Sequence, residues 1–323
     1  MNKYITCIIN DKYMSVGGFG HIFYDMLSAY IIANLFHIKF VYSPLISLGN
    51  NHHLGNKPGN TDDSINWDKF LKFDNNELTM NDIKDLKLNT IKINICQAFK
   101  SMDLLKLSKL INSHEDNTLF ILTNNNRLYI NELYYLNKSI YNNVYSNLKI
   151  KLNHLVKPKN NIITISIHIR RGDWNWQPLN YTIEFIKLWQ SNFKNKQYVI
   201  NIYSLGTNKQ LCEIKDTIEK LDNNISFKFN IDVFETFSDI YNADIVVGGH
   251  SNFTKIITLF SKNIFIYLPY NDGIICPLGV NKTFKLYHLG NYPENFDQDN
   301  RIETDIYCKK NRQLIIEKLT GIL

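Results

Sequence analysis

Hydrophobic and polar positions along the chain alternate between short apolar runs and longer segments of mixed character. Tyr4 to Ile9 is a short β-prone run. A glycine turn follows at Gly17-Gly18-Phe19-Gly20, and the apolar spacing after it predicts a helix over residues 21–36. Ile38–Tyr42 reads as a strand, and residues 45–65, polar and rich in Gly and Asn, read as a long loop. Thr90–Ile95 predicts a strand, Ser101–Ser113 a helix, Thr118–Thr123 a strand, and about Arg127 to Leu152 a helical stretch. Charge, proline and asparagine meet at Lys157-Pro158-Lys159-Asn160-Asn161, which marks the best domain boundary.

The pattern is clearer beyond that break. Ile162–Ile169 is a β-branched run of the buried type. Thr182–Phe193 is helical, with Ile183, Ile186 and Trp189 on one face. Strands are expected at Tyr198–Tyr203, Ile225–Phe229, Asp244–Val247 and Ile264–Leu268. Thr207 and Gln210 have capping-box spacing and open a helix to about Leu221. Further helices are expected at Phe234–Asn242, about Ser251–Ser261, and from about Thr304 to Leu319. Strands alternating with helices imply βαβ units and parallel sheets. The expectation is an α/β protein of two Rossmann-like domains, residues 1–157 and 158–323, whose parallel sheets face a central cleft. The last helix is assigned to the second domain, with packing back on the first as the open alternative.

Composition narrows the class. The chain has 323 residues, 44% hydrophobic and 20% charged, which suits a globular protein and excludes a disordered one. Its net charge of +6 is too mild for a nucleic-acid partner but suits a protein that handles small anions. Five cysteines, Cys7, Cys96, Cys212, Cys276 and Cys308, form no CxxC pair and predict free thiols in a reducing compartment. The opening MNKYITCIIN lacks the pattern of a signal peptide. The most apolar stretch, Met26 to Phe40, is interrupted by Asn34, His37 and Lys39, so no membrane segment is expected. The expected location is therefore the cytoplasm. Asparagine runs such as Asn124-Asn125-Asn126 reflect an AT-rich genome, which suits a parasite, an AT-rich bacterium or a large virus; for a virus the location is the host cytoplasm.

Three segments carry candidate chemistry. Ser166 to Asp173, SIHIRRGD, ends an apolar strand with His168 and Arg170 on one face and Arg171 on the other face or in the loop. The carboxyl end of a parallel strand is where α/β folds bind ligands, and the planar arginine fork pairs two diphosphate oxygens at once. A surface Arg–Asp pair capping a turn is the plainer alternative. Asn242 to Phe260 holds a second apolar strand that ends in Gly248-Gly249, with Ser251, Asn252 and Thr254 opening a helix. Such a terminus suits an anion, although Ser is also an ordinary N-cap. Ser15 to His21, SVGGFGH, is neither a full GxGxxG nor a P-loop, and a tight strand-to-helix turn explains it equally well. His52-His53 reads as solvated, and no DxD sits at a strand end, so no metal is expected. Trp174 and Trp176 suit stacking on a sugar or base, or a hydrophobic plug; Tyr134 and Tyr135 suit a helix core.

HIRRGD resembles the HxRRxD signature of the GDP-fucose-using fucosyltransferases, the α1,2, α1,6 and protein O-fucosyltransferase superfamily. ADIVVGGHSNF is similar to that superfamily's later motif, and GGFGH to its N-terminal G-x-G-N-Q turn, with His21 where relatives often have Asn. The three motifs lie in the expected order between residues 15 and 260. The resemblance implies a GT-B fold, a donor site mainly in the second domain, and inverting, metal-independent transfer of fucose to a glycan hydroxyl. It implies that Arg170 holds the GDP phosphates, with His168, Arg171 and Asp173 around it. Asp244 would meet guanine, Ser251 and Thr254 the phosphates, and Asn252, Gly18, Gly20 and His21 would also bind the donor. Asp25 and Asp173 are candidates for the base. The partners implied are a nucleotide sugar and a glycan acceptor, with no cofactor. Two alternatives stay open: another nucleotide sugar as donor, and a non-catalytic glycan-binding descendant of the fold.

Overall fold

The computed structural model describes residues 2–7, 19–43, 62–72, 77–94, 104–123, 138–171, 179–248, 251–261, 263–267, 285–288, 302–303 and 309–321. The chain divides into two compact units, Met1–His154 and Leu155–Leu323.

In the first unit, β1 (Lys3–Cys7), β2 (Lys39–Tyr42), β3 (Leu78–Thr79), β4 (Asn89–Asn94) and β5 (Thr118–Thr123) form one sheet in the order β3-β2-β1-β5-β4. Every pairing in it is parallel. The helices are α1 (Phe19–Leu35), α2 (Asp62–Leu71), α3 (Met80–Ile83), α4 (Leu104–Ser113) and α5 (Lys138–Lys151). Helix α1 is apolar around its circumference, and Phe23, Met26, Leu27, Ala29, Ile31, Ile32 and Ala33 are all buried, as a helix with no polar stripe requires.

Helix α2 begins inside the segment expected to be a loop. Two apolar residues decide this: Trp67 stacks on Phe19 with ring centroids 3.9 Å apart, and Leu71 is buried. The short β3–α3 turn was not expected either. Its signal is local, since the Thr79 amide donates to Asp82 Oδ2 at 2.6 Å and opens the helix. At the far end, Lys151 pairs with Glu77 at 2.9 Å. Glu77 also accepts from the Tyr30 hydroxyl, which burial first and this carboxylate second push up to about 12.

The second unit is built on seven strands: β6 (Ile163–His168), β7 (Tyr198–Ser204), β8 (Ile225–Phe229), β9 (Ile245–Gly248), β10 (Ile264–Tyr267), β11 (Lys285–His288) and β12 (Ile302–Glu303). Their order is β12-β11-β10-β9-β6-β7-β8. From β8 to β10 every pairing is parallel. At one edge β11 and β12 add on antiparallel. Mixed sheets of this kind, with an antiparallel edge on a parallel centre, are common in doubly wound folds.

Helices α6 (Leu179–Phe193), α7 (Asn208–Ile218), α8 (Val233–Asn242), α9 (Asn252–Phe260) and α10 (Lys309–Thr320) cover this sheet. Alternation along β6 sorts the faces. Ile165 and Ile167 join a core with Phe185, Ile186 and Trp189 of α6, Leu211 and Ile214 of α7, and Ile315 and Leu319 of α10. Ser166 and His168 look the other way, toward α8 and α9, whose Phe237 and Phe253 meet edge to face. The capping box at Thr207 and Gln210 is present, with the Thr207 amide donating to Gln210 Oε1 at 2.8 Å. Helix α8 has an N-cap of its own, Asp232, which accepts from the amides of Phe234 and Glu235.

Candidate functional site

The strand order places the candidate site. The chain runs from β6 outward to β7 and β8, then returns to the other side of β6 to lay down β9 and β10. The strand order therefore reverses between β6 and β9, and the crevice at the carboxyl edge beside such a reversal is where doubly wound folds bind ligands. His168 pairs with Gly248 across β6 and β9, so both strands end at the same level.

Beyond His168 the chain keeps its strand alternation for three more residues. Ile169 is fully buried, Arg170 half-buried, and Arg171 only 5% exposed. The Ile169 amide donates to the Tyr203 carbonyl at 2.9 Å, and its carbonyl accepts from the buried Ser204 hydroxyl at 2.8 Å. This segment is therefore a fixed extension of β6. His168 and Arg170 share its half-buried face.

Arg171 lies on the other, buried side of this segment. Burial lowers its guanidinium from the ordinary arginine value, and the Glu213 carboxylate on α7 acts in the opposite sense. Its Nη1 donates to the Arg170 carbonyl at 3.2 Å. Its stem lies against the β7–α7 turn so closely that a Cβ on Gly206 would come within 3.2 Å of Arg171 Cβ. Gly206 is bracketed in turn by Asn230, which accepts from its amide at 3.0 Å and donates to its carbonyl at 3.1 Å. Asn230 takes a positive φ of 51°, a conformation its short side chain tolerates. Arg171 thus belongs to the support of the loop rather than to the open side of the crevice. Ser204, Gly206 and Asn230 complete that support, and only the glycine and asparagine next to strand ends could have signalled them.

On the other wall, Ser251 is the N-cap of α9, is 5% exposed, and makes no side-chain capping bond. The alternative of an ordinary capping serine is not what the hydroxyl does. The opening amides of α9 lack helical carbonyl partners and carry the positive end of the helix dipole. Thr254, one turn in, is fully buried, and its Oγ1 lies 2.7 Å from His168 Nδ1. The Phe253 ring flanks the same imidazole at 5.9 Å.

Asp244 is not in this group. It stands at the amino end of β9, where its amide donates to the Thr164 carbonyl at 2.9 Å and its Oδ2 accepts from the Thr164 amide at 3.0 Å. Lys159 pairs with it at 2.7 Å. Four residues of strand, about 13 Å, separate it from Gly248. The Asp244 carboxylate therefore ties the amino edge of the sheet together, at the end of β9 away from Gly248.

In the first unit, Gly20 is buried in the first turn of α1, and Asp25 lies one turn further on. Asp25 is near enough to Cys7, at the carboxyl end of β1, to add to burial in raising that thiol. Gly18, Asp173, Trp174, Trp176, Tyr134, Tyr135 and the His52-His53 pair lie outside the described residues, as do the side chains of His21 and Asn252. Among the described residues, Cys7 and Cys212 are free thiols, and no group of three or more His, Cys, Asp or Glu is placed to hold a metal ion. No described helix is long and apolar enough to cross a membrane.

No family model and no curated protein matches the chain. Solved structures do. One is the fucosyltransferase NodZ from Bradyrhizobium in selenomethionine form, at 13% identity and a TM-score of 0.39, over 83% of this chain and 94% of that one. A second structure of NodZ is similar at 14% identity and a TM-score of 0.32, over 82% and 94%. POFUT1 in complex with GDP is similar at 11% identity and a TM-score of 0.42, over 81% and 95%.

Proposed function

We propose that the chain is a glycosyltransferase that moves L-fucose from GDP-fucose to a glycan hydroxyl, with inversion at the sugar carbon and without a metal ion. One observation carries the reading. At the carboxyl edge of β6 and β9, His168 meets Thr254 in the first turn of α9, Arg170 follows two residues on along the same face, and Ser251 is the N-cap of α9. A cation with a planar fork, a ring nitrogen and a helix N-terminus on one crevice suit a diphosphate. The HxRRxD pattern and the pair of α/β units, of the kind GT-B transferases use, favour a nucleotide sugar over a free phosphate.

In this account the bond between fucose and the β-phosphate breaks through an oxocarbenium-like state while negative charge grows on GDP. Arg170 and the opening amides of α9 meet that charge from fixed positions, which costs no reorganisation at the moment of reaction. The acceptor hydroxyl attacks from the opposite face of the sugar. Asp25 and Asp173 remain the candidates for taking its proton.

Arg170→Lys keeps the charge and loses the bidentate fork. Arg170→Ala and Arg170→Lys should therefore both lose at least about 10²-fold in transfer, with little change in melting temperature. If Arg170 only ties down a turn, the alanine variant will melt earlier and turn over normally per folded molecule. Measuring both quantities on one preparation separates the outcomes.

A further inference from the structure

The resemblance sets both His168 and Thr254 against phosphate, and the geometry gives them different tasks. Thr254 is fully buried, and among the described residues its hydroxyl has one partner, His168 Nδ1 at 2.7 Å. A neutral imidazole offers one N–H and one acceptor nitrogen. If Nδ1 carried the hydrogen, Thr254 would have to accept, and its own buried hydroxyl hydrogen would find no acceptor among the described residues. The arrangement that satisfies both groups has Thr254 donating, Nδ1 accepting, and the hydrogen on Nε2.

The threonine is held in place for this. Its Cγ2 lies so close to the end of β9 that a Cβ on Gly248 would come within 3.3 Å of it. Gly248 is in turn the residue that pairs with His168. Buried Ile256, Ile257 and Phe260 anchor the rest of α9. The hydroxyl and the imidazole are therefore fixed relative to one another by the same strand end.

We propose that Thr254 is a positioning residue that locks His168 in the Nε2–H tautomer, making the ring edge away from Thr254 a hydrogen-bond donor. In the transferase reading, on which this rests, His168 then donates to a non-bridging oxygen of the leaving diphosphate, and it is not the base that takes the acceptor's proton.

Nuclear magnetic resonance on the isotope-labelled full chain reads the tautomer directly and needs no donor substrate. His168→Gln identifies the His168 ring signals among the nine histidines. The native ring should show a bare Nδ1 and a protonated Nε2. Thr254→Ser keeps the hydroxyl and should keep that pattern, whereas Thr254→Val, close in shape, should give a mixture of tautomers. Thr254→Ala gives the same readout if the valine variant does not fold. With GDP-fucose, the valine variant should lose about 10- to 100-fold in kcat with KM little changed, by analogy with partners that orient metal-ligating histidines, and serine should restore most of it. A native ring with its hydrogen on Nδ1, or a valine variant with the native pattern, overturns the proposal. The expected ring pattern without turnover of any nucleotide sugar supports the tautomer lock and removes the transferase reading instead.

Discussion

Within two consecutive residues, the chain puts identical side chains to different uses. Arg170 stays on the half-buried face with His168, whereas Arg171 turns under α7 toward Glu213. Arg171→Ala should therefore act through stability, by loosening the segment after β6, while Arg170→Ala acts through turnover. Asp244 offers a second contrast. It holds the Thr164 amide at the amino edge of the sheet, far from the crevice. Its ion pair with Lys159 adds little, since the lysine side chain is 77% exposed. Asp244→Ala should cost about 1–2 kcal/mol, mainly from the orphaned amide, and leave nucleotide affinity unchanged. Urea unfolding and a binding titration on the same variant check this. A large loss of affinity at native stability would return Asp244 to the site.

At the level of elements, the legible parts were those whose signal is local. The β-branched runs of β6 and β7, the capping box of α7 and the helix from Val233 all declare themselves in a few residues. Spacing also put His168 and Arg170 on one face. It also placed Asp244 at the amino end of its strand, where the Thr164 amide finds its carboxylate. It did not reveal α2, where Trp67 and Leu71 find cover only from tertiary partners, or β11 and β12, four and two residues long, too short for periodicity to show. The last helix is a case where tertiary contacts decide. Ile315 and Leu319 sit in the second unit's core with Ile165 and Trp189, and Arg312 pairs with Glu184 of α6. Ile315→Ala should cost about 2–5 kcal/mol, the usual range for emptying a fully buried site. A loss below about 0.5 kcal/mol in chemical unfolding, the level of a surface substitution, would contradict that packing.

For the whole molecule, the proposed transfer puts charge handling at the carboxyl edge of the second unit's sheet and needs no metal. Transfer or donor hydrolysis should then survive chelation by EDTA, and loss of activity restored by Mn²⁺ or Mg²⁺ would show that a cation shares the diphosphate site. Whether the proposed site takes a guanine diphosphate sugar can be read from a thermal-shift series with GDP-fucose, GDP-mannose, GDP and UDP-sugars on the native chain. A ligand at 100 times its dissociation constant adds about 2.7 kcal/mol of stability. GDP-fucose and GDP should raise the melting temperature and UDP-sugars should not; a shift by UDP-sugars with none from the guanine nucleotides would rule out the guanine donor.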